Sequence, residues 1–129
     1  VKVRLTADQP ICFLLSGGLD SSLAVPLPKV SQTHLYILFV GNGGIRLITN
    51  TNDILNARKV SAFIGSIHTE VTFTATEALE AIPNVIKQIG SWCQTTIRAS
   101  TPMYLLCKYI REKTPFKVVF SGENADELF

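Results

Sequence analysis

Long apolar stretches are missing from this sequence. Its longest uninterrupted run covers residues 35–40, LYILFV, far short of the roughly 20 residues that cross a bilayer as a helix. No basic segment followed by a long apolar core opens the chain, so no secretory leader is visible. An excess of one charge is missing too: 12 Lys and Arg stand against 10 Asp and Glu, a net +2. Nothing in that balance marks a nucleic-acid-binding face. Cysteine is scarce, with Cys12, Cys93 and Cys107 widely spaced. An odd count without a CxxC pair argues against a disulfide framework and a zinc site. Cys12 in an apolar run and Cys107 in a helical pattern read as buried thiols of a reducing, cytoplasmic compartment.

What the chain does have is apolar content. Hydrophobic residues make up 47% of its 129 positions, too many for disorder and enough for one globular core. Residues 11–15 (ICFLL), 35–40 and 117–120 (KVVF) are short apolar runs followed by glycine-containing turns. Runs without alternation suit strands covered on both faces. Residues 67–73 alternate instead, with Ile67, Thr69, Val71 and Phe73 on one face and His68, Glu70 and Thr72 on the other.

Helical patterns lie between these runs. A short helix opens at Asp20 and reaches about Val25. Residues 53–64 carry Ile54, Ala57, Val60 and Ile64 as one stripe, with Asn52 as cap and Gly65 as stop. Thr74 to Glu77 reads as a capping box for a helix ending near Ile89. Ala99, Met103, Leu106 and Ile110 mark the stripe of another, with Lys108, Arg111 and Lys113 at its solvated, dipole-matched end. Strands alternating with helices predict an α/β domain, a parallel sheet with helices on both faces. His68 reads as a hydrogen-bonded strand side chain and Trp92 as a packing residue.

Two segments carry chemistry, and both fall where parallel sheets bind ligands, beyond the carboxyl ends of strands. The first is Ser16-Gly17-Gly18-Leu19-Asp20-Ser21-Ser22. Two glycines let main-chain N–H groups approach a ligand, and the helix that follows aims its dipole at the same spot. That is an anion cradle, without the lysine and spacing of a Walker loop. Asp20 places a carboxylate in it, which a magnesium ion bridging to pyrophosphate would reconcile. The bland alternative is an ordinary strand-to-helix turn. The second segment is residues 121–128, SGENADEL, where Glu123, Asp126 and Glu127 form an acidic cluster. Alone, the cluster reads as the acidic first turn of a helix. Paired with the first segment at one sheet edge, it reads as functional.

These residues resemble a known family. SGGLDSS looks like the pyrophosphate loop of the N-type (PP-loop) ATP pyrophosphatases, with an adenine-nucleotide α-hydrolase-like fold. Residues 14–23, 57–60 with 64–65 and 68–70, 95–105 (TTIRASTPMYL) and 120–128 together resemble, more narrowly, the synthetase domain of glutamine-dependent asparagine synthetases. The resemblance implies ATP and Mg2+ as cofactors. It implies that aspartate and ATP react through β-aspartyl-AMP, releasing pyrophosphate, and that ammonia then displaces AMP to give asparagine. Carried to the matching positions, Ser16, Gly17, Gly18, Asp20, Ser21 and Ser22 hold pyrophosphate, and Asp20 and Asp126 hold magnesium. Leu15 and Val40 flank the adenosine, and Ser121 and Gly122 contact the nucleotide. Glu123 guides the ammonia proton, and Arg98 neutralises phosphate or substrate carboxylate.

The same resemblance frames the domain reading: residues 1–129 as a partial synthetase domain, with the glutaminase domain and the C-terminal remainder outside it. A glutaminase domain supplying ammonia and a homodimer are the implied partners of the full protein; nucleic acid and membrane are not. Such a piece is expected to expose apolar surface. The chain departs from the family pattern at Pro26 and Pro28 after the loop, at Asn124-Ala125 before Asp126, and at Trp92-Cys93. These departures keep two alternatives open, a non-catalytic remnant of the family and another PP-loop ligase such as a β-lactam synthetase.

Overall fold

The computed structural model describes residues 9–15, 22, 34–40 and 52–122, of which 34–40, 52 and 53 by their backbone alone. In chain order the elements are β1 (Ile11–Leu14), β2 (His34–Val40), α1 (Asn52–Ile64), β3 (Ile67–Phe73), α2 (Ala75–Ile89), α3 (Gln94–Lys113) and β4 (Val118–Phe120). Among the described residues the strands form one sheet in the order β3-β2-β1-β4. β1 pairs in parallel with β2, Leu14 opposite Tyr36, and with β4, Phe13 opposite Phe120. The expected α/β architecture with a parallel sheet is present, and its strand boundaries shift from the expected ones by at most one residue.

The chain divides into two compact units: Val1–Ile37, Asn50–Glu70 and Pro115–Phe129 form one, Leu38–Thr49 and Val71–Thr114 the other. In the first, Phe13, Leu15 and Ala57 are buried, and Ile11, Val60, Ile64 and Phe120 pack against them. Ala57, wholly buried, brings α1 close to β1 because its side chain is a single methyl. Burying side chains such as Phe13 and Leu15 contributes about 1.5–3 kcal/mol each. The Ile54, Ala57, Val60, Ile64 stripe is therefore confirmed as the inward face of α1.

The end of α1 is a Schellman turn. Gly65 takes a left-handed φ of 71°. Its N–H donates to the Ala62 carbonyl at 3.3 Å, and the Ser66 N–H to the Ser61 carbonyl at 3.2 Å. At the other end the helix starts at Asn52 itself. Asn52 is thus its first residue rather than its cap.

The second unit contains the helices α2 and α3. The Thr74 side chain accepts from the Glu77 N–H, and the Glu77 carboxylate accepts from the Thr74 N–H at 2.6 Å, the reciprocal pairing of a capping box. Gly90 closes α2 at φ 64°, donating to the Ile86 carbonyl at 2.9 Å. Ala81 and Val85 of α2, and Thr101, Leu106 and Ile110 of α3, are its buried positions along these helices. Both helices carry an interior proline, Pro83 and Pro102, each of which withholds one N–H from the helical ladder.

Three sequence readings, on Cys107, Ala99 and Trp92, are corrected here. Cys107 is exposed, not buried, because Leu106 and Ile110 take the inward face and Cys107 falls on its flank. Ala99 is exposed, since burial along α3 starts only at Thr101. The alternation along β3 stands, with Val71 and Phe73 buried and Ile67, its first residue, half exposed. Trp92 is 83% exposed in the short connection between α2 and α3, so it is no packing residue. Phe63 at 91% and Leu79 at 66% are exposed as well. Cys12 is buried as expected. The short helix from Asp20, apart from helical Ser22, lies outside the described residues, as do Gly41 to Thr51 and the Asn124-Ala125 departure.

Candidate functional site: the carboxyl ends of β1 and β4

β1 and β4 are hydrogen-bonded parallel neighbours, so their carboxyl ends open on the same edge of the sheet. The stack of Phe13 on Phe120, centroids 5.3 Å apart, holds the last turnless rung in place. Two residues beyond that rung come Leu15 on one strand and Gly122 on the other. Neighbouring strands run about 4.8 Å apart. The two glycine-bearing segments singled out in the sequence therefore leave from adjacent strand ends.

Leu15 is 1% exposed and belongs to the core, which commits its side chain to packing. Ser121 is exposed and Gly122 half-buried. Ser22 is helical and half-buried, and Val40 is the last residue of β2. Arg98 lies on α3, exposed, within the second unit. Ser16, Gly17, Gly18, Asp20, Ser21, Glu123 and Asp126 lie outside the described residues. Among the described residues no three His, Cys, Asp or Glu side chains gather as a metal site.

Three features escaped the sequence reading. Arg58 of α1 makes a bidentate pair with Glu70 of β3, Nε to Oε1 at 2.6 Å and Nη2 to Oε2 at 3.0 Å. The Arg58 hydrogen bonds, with a smaller contribution from His68, hold the Glu70 carboxyl below its ordinary value; the pair raises Arg58. His68 Nε2 lies 3.4 Å from Glu70 Oε1. Neither ring nitrogen of His68 has a hydrogen-bond partner, though both are shielded from solvent. His68 is thus not the hydrogen-bonded side chain expected, because the Glu70 oxygens are aimed at the Arg58 fork. No local pattern signals a pair twelve residues apart.

The second feature is Cys93, exposed at the start of α3. Hydrogen bonding from Thr96, backbone and then side chain, and next from the Thr95 backbone holds its thiol below the ordinary value. Partial burial pushes the Cys107 thiol the other way. The third is a groove of about 420 Å³ in the second unit, whose lining includes Glu80, Tyr104, Lys108, Tyr109 and Glu112. None of the expected site residues lines it. Among the described residues no helix is long and apolar enough to cross a membrane.

Comparison with known proteins follows the same outline. The family model described as Asparagine synthase matches residues 1–129. The chain is 44% identical over 128 residues to an asparagine synthetase (glutamine-hydrolyzing) of Gallus gallus, covering 99% of this chain and 23% of that protein. It is 45% identical over 131 residues to the Homo sapiens protein of the same name, with the same coverage. The chain thus spans 23% of the length of these curated relatives. Among solved structures, the NMN synthetase from Francisella tularensis matches with a TM-score of 0.59 at 20% identity, over 97% of this chain and 49% of that one.

Proposed function

The chain belongs to the asparagine synthase family, and from that premise we propose that it carries the nucleotide-binding part of an ATP-dependent, asparagine-forming ligase. The observation that supports this most directly is the pairing of β1 with β4, from whose adjacent ends the SGGLDSS and SGENADEL segments leave. Two glycine turns at one edge offer main-chain N–H groups to a polyphosphate from two sides.

In this reading Ser16, Gly17, Gly18, Asp20, Ser21 and Ser22 cradle the pyrophosphate, and Ser121 and Gly122 meet the nucleotide. Leu15 and Val40 bound the adenosine, with Leu15 acting through its main chain. The aspartate side-chain carboxylate attacks the α-phosphorus, and the bond to pyrophosphate breaks. Ammonia then attacks the acyl carbon of β-aspartyl-AMP and AMP leaves, with Glu123 taking the proton. Arg98 neutralises a phosphate or the substrate carboxylate. Chemistry of this kind needs little beyond positioning and charge neutralisation. Asp20 and Asp126 are hard oxygen donors of the sort magnesium takes, and the ion would supply charge neutralisation at the pyrophosphate. We assign the nitrogen to glutamine, through a glutaminase domain outside residues 1–129 of a homodimeric cytoplasmic protein.

Aspartate-dependent exchange of labelled pyrophosphate into ATP tests this reading, with Asp20→Asn as control. Exchange driven by aspartate and lost in the variant is expected. Exchange driven by another carboxylate and not by aspartate would overturn the asparagine reading. Exchange no greater than in the control would overturn catalysis by this chain.

A further inference from the structure

Away from the sheet edge, α2 and α3 form a hairpin with two cavities along it. Their connection spans only residues 90–93, which brings the end of α2 against the start of α3. Glu80, Asn84 and Gln88 follow at steps of four on α2, as do Ser100, Tyr104, Lys108 and Glu112 on α3. Residues at that spacing share one helix face. The groove of about 420 Å³ is lined by Glu80 and Asn84 together with Tyr104, Lys108 and Glu112. A second cavity of about 280 Å³ is lined by Gln88 with Ser100 and, again, Tyr104. The two therefore adjoin, with the half-buried Tyr104 as their shared wall.

Their chemistry differs. No charged residue lines the smaller cavity, whose walls include Val85, Ile89, Met103 and Cys107. The groove has an apolar floor of Val71, Phe73 and Ala81, all buried, and an ionic rim. Glu80, Lys108, Glu112 and Lys113 make up that rim and are exposed. Their side chains form no ion pair or hydrogen bond among the described residues. Glu77, the other acid of the groove, is committed to Thr74. Two uncommitted carboxylates thus stand among two uncommitted ammonium groups. Such a rim favours neither a net anion nor a net cation, but a ligand with one charge of each sign close together.

We propose that the α2–α3 trough binds a free α-amino acid with a large apolar side chain. The ligand's carboxylate meets Lys108, its ammonium meets Glu80, and its side chain passes Tyr104 into the cavity lined by Val85, Ile89 and Met103. Both volumes together fall within the about 300–1,000 Å³ usual for small-molecule sites. Solvent-exposed ionic contacts are weak, so they orient the ligand, while burial of its side chain supplies most of the affinity. The site lies wholly in the second unit and uses none of the residues assigned to the nucleotide. It therefore stands independently of ATP binding.

Titration of the whole chain with phenylalanine, followed residue by residue in NMR amide shifts, tests this. Saturable shifts are expected at residues 84–89 and 100–108. No saturation, or shifts confined to other residues, would overturn the site. Alanine has the same head group without the large side chain, and is expected to bind at least tenfold more weakly. Aspartate, whose side chain is charged, is expected to do the same at these amides. Equal affinity for either would overturn the apolar half of the proposal.

Two analogues test the head group: phenethylamine lacks the carboxylate, and 3-phenylpropionate lacks the ammonium. Each is expected to bind roughly threefold more weakly than phenylalanine. Lys108→Met keeps the stem and removes the charge, and circular dichroism shows whether it is folded. It is expected to weaken phenylalanine roughly threefold and leave phenethylamine unchanged. Equal loss for both ligands, or for neither, would overturn the place given to Lys108. Should that variant not fold, Glu80→Gln supplies the mirror test, weakening phenylalanine while leaving 3-phenylpropionate unchanged. An unchanged affinity for phenylalanine there would overturn the dipolar head group.

Discussion

Phe13 and Phe120 occupy the same register position of the parallel β1–β4 pair, and their rings stack with centroids 5.3 Å apart and planes inclined by 27°. The contact lies three residues before Ser16 and one before Ser121, the first residues of the two glycine-bearing segments. A packing contact in the core thereby fixes the spacing of the two strand ends.

Removing one ring should loosen that edge. Phe120 is only partly buried, so Phe120→Ala is expected to cost about 2 kcal/mol, below the range for a fully buried phenylalanine. Phe120→Leu, which keeps most of the volume, is expected to cost about 1 kcal/mol. Urea unfolding midpoints measure both. A loss under half a kilocalorie for the alanine variant would contradict the anchoring role.

The ends of α2 offer a second test, because each is set by one residue. Thr74→Ala removes the acceptor for the Glu77 N–H and is expected to destabilise by about 1 kcal/mol. Gly90→Ala meets no atom within 4 Å of the added methyl, so its cost is the left-handed backbone alone, about 1 kcal/mol. Thr74→Ser should restore most of the loss. The two positions are 16 residues apart in sequence and share no partner, so the double variant should show additive losses.

The Arg58–Glu70 pair makes stability depend on pH in a definite direction. Arg58 holds the folded-state pKa of Glu70 below its unfolded value, which is about 4.3. The native state therefore binds this proton less tightly than the unfolded chain does. Its contribution is fully present above the unfolded value and is lost as pH falls through the folded one. Guanidinium unfolding from pH 7 to pH 3 should show that loss, and Glu70→Gln should flatten it. An identical pH dependence in the variant would remove Glu70 from the account.

What the sequence made legible is what short-range geometry decides. The Thr74–Glu77 box, the stop at Gly65 and the Ile54–Ala57 stripe follow from spacings of three and four residues, and each is found. The parallel sheet was legible from its short apolar runs without alternation. That β4 lies directly beside β1 was not, since a register between residues 13 and 120 leaves no local trace. Arg58 and Glu70 meet only once α1 and β3 have folded together. Trp92 and Cys107 failed for a related reason: an apolar residue type fixes a preference for burial, while the neighbouring elements decide what covers it.

The central claim is that the two turns at the ends of β1 and β4 bind the polyphosphate of ATP, and a calorimetric titration of this chain with magnesium-ATP tests it most directly. Asp20→Asn is run beside it, with circular dichroism on both samples to show that they are folded. The account predicts saturable binding by the parent chain and at least a tenfold loss of affinity in the variant, about 1.4 kcal/mol. A folded parent chain that takes up no magnesium-ATP, or a variant that binds it equally well, would contradict the claim.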